Sequence, residues 1–280
     1  MDLAIDIGNS QITLGLGDDA GWLARWRLAS DPHRTTDEYS VLVRGLFARD
    51  GCRPESVTAV ALSSVVPALT PVIVGLCHRL FDRGPFAVEP GIRTGMPVRY
   101  NPPAALGTDR LVAAVAARAK LGAPVVVVDF GTATTFSVVD HAGSFIGGAI
   151  APGVGLAAAA LAAAGARLSR IDLAPPSSEP PPLVGRNTEH SMRSGVLYGY
   201  AGLVEGLLGR IDAELAEMAA HDVGAGRLDG PVPVVATGGM AGLVAPLVGR
   251  ITAVEPDLIL NGLRMILALN QVAAPSHHAP

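Results

Sequence analysis

Apolar and polar positions over the first ninety or so residues are arranged as a small α/β unit. The segments LAIDIG, ITLGLGD and WLARWRLA, separated by turn residues, read as three short strands in a meander. TTDEYSVLVRGLFARDG sets a cap-like Thr and two acids ahead of apolar residues at helical spacing and ends on Gly, which predicts a helix. VTAVALSSVV then reads as a strand, PALTPVIVGLCHRLF as a helix opened by Pro, and FAVEP as a last short strand. The pattern is βββαβαβ.

After a Pro-containing link, RYNPPAALGTDRLVAAVAARAKLGAP contains a helix from about Thr108 to Lys120, and the plan then restarts. VVVVDFGTATTFSVVD is a strand, a small-residue turn and a second strand, and it repeats the plan of LAIDIGNSQITLGLGD. FIGGAIAP reads as a strand, GLAAAALAAAGARL as a helix, and DLAPPSSEPPPLVGRN as an exposed loop whose prolines forbid regular structure. A long helix, SMRSGVLYGYAGLVEGLLGRIDAELAEMA, follows, then strand VPVVATGG, a short helix AGLVAPLV and a final helix DLILNGLRMILALN. Two copies of one plan predict a duplicated fold: a domain over 1–115, a second over 116–270 and a disordered tail over 271–280.

Composition narrows the function. The chain has 280 residues, 49% hydrophobic and 16% charged, and a formal net charge of -4, so no global field draws it to nucleic acid or an anionic membrane. Its apolar runs are interrupted well short of the roughly 20 residues of a membrane span, and MDLAIDIG has no basic leader. Small-molecule chemistry in the cytoplasm is expected. Cys52 and Cys77 have no metal-ligand or disulfide spacing and read as ordinary thiols.

The chemistry begins with two acids at strand ends. Asp129 follows four valines of a strand buried on both faces, where an unpartnered carboxylate costs several kcal/mol, and Asp6 stands in the matching place. A strand, an Asp, a Gly and a small polar residue in a tight turn suit a phosphate group: turn N–H groups hold its oxygens and the carboxylate holds Mg2+. The pattern D-x-G is also a common hairpin signal, but two matched copies favour the phosphate device. No P-loop or dinucleotide-binding glycine motif occurs in a suitable context. In GTDR, Asp109 is either a base facing the reacting hydroxyl or a helix-start acid paired at the surface with Arg110. Trp22, Trp26 and Tyr39 read as packing residues.

DIGNS at 6–10, DFGTATT at 129–135 and VVATGGM at 234–240 resemble the phosphate and adenosine loops of the acetate and sugar kinase, heat-shock ATPase and actin superfamily. RYNPPAALGTDRLVAAVAA, VVDFGTATTFSVVD, GGAIAPG, GRNTEHSMRSGVLYGYAGLVEGL and LILNGL, in that order over nearly the whole chain, resemble the type III pantothenate kinase family. The resemblance implies two actin-like (ribonuclease H-like) α/β domains with a nucleotide cleft between them. It implies ATP-dependent phosphorylation of pantothenate to 4'-phosphopantothenate, the first step of coenzyme A synthesis.

By position it implies that Asp6 organises Mg2+ and the ATP phosphates, with Gly8, Asn9, Ser10, Gln11, Ile12 and Thr13 in the same loop and Thr132 as a nucleotide contact. Ser10 stands where the family usually has Thr, which keeps the hydroxyl. Asp129 matches the ligand of a monovalent cation, K+ or NH4+. Tyr100, Gly107, Thr108, Asp109, Arg110 and Thr188 match the pantothenate site, Asp109 being the catalytic base and of ordinary acidity. Thr188 is expected from the other subunit of a homodimer. Gly195, Gly199, Gly202 and Gly206 share one face of the long helix and either receive that subunit or face a strand of their own domain. The alternatives are a non-catalytic regulator resembling the Bvg accessory factor and a kinase for another small hydroxyl compound, such as a sugar.

Overall fold

The computed structural model describes residues 1–164, 171–173, 182–221 and 230–271. Of the expected tail over 271–280, Gln271 closes the last helix and the rest, like most of the Pro-rich loop, lies outside the described residues. Two compact units form: Met1–Met96, Asn101–Ala116 and Leu258–Pro280 make the first, and Pro97–Tyr100 with Ala117–Asp257 makes the second.

In the first unit β1 (Asp2–Ile7), β2 (Gln11–Asp18) and β3 (Gly21–Ala29) form the meander. Then come α1 (Thr36–Arg49), β4 (Ala59–Ser64), α2 (Thr70–Phe81) and β5 (Phe86–Ala87), and the sheet order is β3-β2-β1-β4-β5. β1 pairs antiparallel with β2 and parallel with β4. The sequence signals are visible at the helix ends: Thr35 and Glu38 form a capping box at α1, a device that contributes about 1 kcal/mol, and Pro71 sits in the first turn of α2. Leu3, Ile5, Ile7, Tyr39, Phe47 and Leu76 fill the core, and Trp26 stacks on Phe47 with ring centroids 4.7 Å apart. Cys77 is a core thiol, its pKa pushed up to about 12 by burial.

α3 (Thr108–Leu121) begins in this unit, and α7 (Leu258–Gln271) packs there too, although its place in the sequence follows the second half. Leu260, Leu263 and Ile266 cover Ala4 and Ala61 of the sheet together with Val112 of α3. Trp22 Nε1 donates to Asn261 Oδ1 at 2.8 Å, and Arg264 lies 5.0 Å over the Trp22 ring.

The second unit repeats the topology. β6 (Val125–Phe130), β7 (Ala133–Val139), β8 (Phe145–Pro152), β9 (Val234–Thr237) and β10 (Ala253–Val254) give the order β8-β7-β6-β9-β10, with antiparallel pairs first and parallel pairs after. Strand for strand this is the first sheet again, as a duplicated α/β fold requires. β10, in ITAVEP, carries no sequence signal because two residues are too few for a period. α4 (Val154–Ala164), α5 (Thr188–His221) and α6 (Ala241–Val244) cover it, and Val196, Leu197, Tyr200, Val204 and Leu208 of α5 enter its core. Among the described residues no helix is long and apolar enough to cross a membrane.

Candidate active site

The two acids occupy equivalent positions. Asp6 pairs with Thr13 across the hairpin and lies beside Ser63 of parallel β4, while Asp129 pairs with Thr135 and lies beside Thr237 of parallel β9. Each carboxylate therefore stands at the carboxyl end of a central strand among hydroxyl neighbours, where open α/β sheets place ligands.

After Asp6 the chain turns through Gly8, Asn9 and Ser10, closed by Gly8 N–H donating to Gln11 O at 3.0 Å. A Cβ on Gly8 would stand 3.1 Å from the same carbonyl, so the turn suits glycine. Asn9, Ser10 and Gln11 are exposed and Thr13 is half-buried. Ile12 belongs to the core at 1% exposure, so at that position only backbone can serve the loop.

After Asp129 the turn is one residue shorter, with Gly131 N–H donating to Ala133 O at 3.1 Å and Thr132 exposed at its tip. Two further glycines grip it. A Cβ on Gly153 would lie 2.2 Å from Thr132 O, and a Cβ on Gly238, whose φ is +94°, would lie 2.3 Å from Asp129 Oδ1. GGAIAPG and VVATGGM are thus bound into one loop cluster around Asp129, tied further by Met240 N–H donating to Phe130 O at 3.1 Å. Tyr200 of α5 hydrogen-bonds Pro152 O beside it.

GTDR lies in the first unit. Asp109 is half-buried at the start of α3 and its Oδ1 accepts from Arg110 N–H at 2.8 Å. A Cβ on Gly107 would stand 2.5 Å from that oxygen, so the glycine makes room for the carboxylate. Asp109 is not of ordinary acidity: burial raises its pKa, opposed by the Arg110 N–H and guanidinium. Nor is Arg110 a surface partner, being 8% exposed. Thr108 Oγ1 lies 3.0 Å from Ser63 Oγ and donates to Ser64 O at 3.2 Å. Asp6, Ser63, Thr108 and Asp109 are thereby linked through β1, β4 and α3.

Tyr100 belongs to the second unit. Pro97 O accepts from Phe145 N–H and Arg99 N–H donates to Phe145 O, and the Tyr100 ring meets Phe145 edge-on at 6.0 Å. Thr188 is exposed at the start of α5, where Asn187 Oδ1 accepts from His190 N–H at 2.8 Å. Gly195, Gly199, Gly202 and Gly206 are exposed as well. Among the described residues, no atom beyond their chain neighbours and the surrounding helix backbone lies within 4 Å of where a Cβ would be, so they do not face a strand of that unit.

Among the described residues no three acids, histidines or cysteines cluster. Mg2+ commonly takes one or two carboxylates and completes its shell with water and substrate phosphates, so Asp6 beside the exposed turn residues Asn9 and Ser10 fits it. The carboxylate of Asp129 is half-buried, with Gly238 against Oδ1.

A model of the type III pantothenate kinase family matches residues 2–210. A type III pantothenate kinase of Anaeromyxobacter sp. (strain K) is 45% identical over 97% of this chain and the whole of that protein, and one from Moorella thermoacetica is 42% identical over 96% of this chain and the whole of its own. A solved structure from Campylobacter jejuni, described as a Baf family transcriptional activator, superposes with a TM-score of 0.57 at 17% identity, covering 96% of this chain and 99% of that one. That likeness speaks for the fold alone, two α/β units of one plan. By the extent of the first two matches, this chain belongs to the type III pantothenate kinase family.

Proposed function

We propose that this protein transfers the γ-phosphoryl group of ATP to pantothenate, giving 4'-phosphopantothenate, the first step of coenzyme A biosynthesis. The observation that carries the reading beyond family membership is Asp109, a half-buried carboxylate at the helix start with Gly107 clearing space beside it. Asp109 accepts the proton of the attacking hydroxyl. Burial raises its pKa, which strengthens it as a base.

Asp6 would hold Mg2+, which when bound would supply neutralisation of phosphate charge. The exposed tip of the turn at Asn9 and Ser10, with its backbone N–H groups and the Ser10 hydroxyl, holds the phosphates, and Thr132 contacts the nucleotide. Phosphoryl transfer has a loose transition state, so these groups act by placement and charge more than by covalent chemistry. Asp129 holds K+ or NH4+ beside the second turn. Tyr100, Thr108 and Arg110 hold pantothenate.

The active species is a homodimer, with Thr188 completing the partner's site. Four helix glycines cost about 3 to 4 kcal/mol relative to alanine, and their open face allows a second backbone to approach closely and offset that cost. The reaction is a cytoplasmic one. The test is purified protein with ATP, Mg2+, K+ and labelled pantothenate: labelled phosphopantothenate with one ADP per product supports the reading, and ADP without it removes pantothenate as acceptor.

A further inference from the structure

β4 reads AVALSS, and its apolar residues are core, so the two hydroxyls at its end need an account. Ser63 is 0% exposed. A hydroxyl buried to that degree is costly unless it is bonded, and alanine would fill nearly the same space. Its partner is Thr108 Oγ1 at 3.0 Å.

The direction of that bond follows from the neighbouring one. The Thr108 hydroxyl has one proton, and Ser64 O at 3.2 Å can only accept it. The arrangement that satisfies both hydroxyls and the Ser64 carbonyl has Ser63 donating to Thr108. Ser64 Oγ in turn accepts from Thr70 Oγ1 at 2.8 Å and from Val66 N–H at 3.2 Å, which holds the strand end still. In register, Ser63 lies directly beside Asp6 on the adjacent parallel strand, so both side chains leave the same face of the sheet about 5 Å apart. One hydroxyl thus joins the strand position next to the metal-organising acid to the residue immediately before the base.

We propose that Ser63 is a positioning residue for Asp109: it locks Thr108, and with it the start of α3, against β4, fixing the base relative to Asp6. The inference rests on the roles given above to those two acids. Ser63 touches no reacting atom. Its effect is on kcat, because misplacing a base by a fraction of an ångström weakens the transition state and leaves nucleotide binding alone.

The test is a double-mutant cycle of Ser63→Ala and Thr108→Val in the full-length protein, with denaturant melts confirming that each variant is folded. Ser63→Ala should lower kcat about tenfold with the ATP KM within about twofold of wild type. Added to Thr108→Val it should cost nothing more, since the donor then has no acceptor. A kcat within about twofold of wild type for Ser63→Ala, or losses that multiply in the double variant, would overturn the proposal. Should Ser63→Ala fail to fold, Ser63→Cys, close in volume and a weak donor, takes its place with the same expected loss.

Should wild type fail to phosphorylate pantothenate, the functional reading falls, and the positioning claim is decided by a crystal structure of the Ser63 variant. A turned Thr108 side chain and a displaced Asp109 carboxylate support it. An unmoved pair contradicts it.

Discussion

The Asp6 and Asp129 turns share a topology and differ by single residues that change what each can do. Beyond Asp6, the chain after β4 returns quickly: Val65, two residues on from Ser63, donates its N–H to Ile7 O at 3.0 Å. Beyond Asp129 the equivalent donor is Met240, three residues on from Thr237, bonded to Phe130 O at 3.1 Å. The extra residue is accommodated at Gly238, whose φ of +94° brings its α-carbon over Asp129. The hairpin turns differ in the opposite sense, the first being one residue longer and exposing Asn9, Ser10 and Gln11. A long open turn beside a bonded serine suits phosphate, metal and base. A short turn capped by glycine suits a fixed cation and a nucleotide edge. On the proposed function, duplication supplies the frame and the local insertions divide the work.

If that division holds, substitutions in the two turns should fail differently. Asp6→Asn should produce the largest effect, a loss of turnover on the order of a thousandfold with the fold intact, because charge neutralisation is the main catalytic term. Steady-state kinetics across an Mg2+ titration checks it, and turnover and Mg2+ dependence both unchanged from wild type would remove Asp6 from the metal.

Gly199→Leu should come next. It fills the open face of α5, and the expected result is a folded monomer with turnover down about a hundredfold through loss of the partner's Thr188. Sedimentation equilibrium alongside activity decides this, and an active monomeric wild type would end both the interface and the shared role of Thr188. Asp129→Ala should cost less, about tenfold, and should abolish the response to exchanging Na+ for K+. A wild type indifferent to that exchange would contradict the cation role.

The smallest effect concerns stability. Burial raises the Asp109 pKa in the folded state, so the stability linked to its protonated form is fully present below the unfolded-state pKa and is lost as pH rises through the folded-state pKa. Asp109→Asn keeps an oxygen for Arg110 N–H and removes the buried charge. The variant should therefore be the more stable protein at pH 7, with the difference disappearing in acid below the unfolded-state value. Denaturant melts at the two pH values read this directly, and equal stability at both would mean the carboxylate is solvated.

Much of this was legible in the chain. The run of valines before Asp129, the D-x-G turns and the capping residues at Thr35 and Glu38 act over a few residues and show in local pattern. What local pattern could not show is set by packing. The apolar face of α7 finds Ala4, Ala61 and Val112 far back in sequence, so nothing local assigns it to the first unit. Ile12 alternates correctly for a strand, and its place in the core follows from register. Arg110 looked like a surface partner because a helix start does not reveal what covers it. Ser63 had a signal, two hydroxyls ending an apolar strand in register with Asp6, but it gains meaning only once β4 lies beside β1 and α3. The conflicts at Gly153 and Gly238 are with atoms remote in sequence and have no local signature.

The central claim is that Asp109 takes the proton of pantothenate while the rest of the site only positions and neutralises. A single-turnover experiment addresses it: enzyme in excess over labelled ATP, with pantothenate, Mg2+ and K+ present, for wild type and Asp109→Asn, and nucleotide binding measured separately. The account predicts labelled phosphopantothenate from wild type at one equivalent per ATP, and nucleotide binding unchanged in Asp109→Asn with the transfer step slowed about a hundredfold or more. Transfer in Asp109→Asn within about threefold of wild type would contradict it.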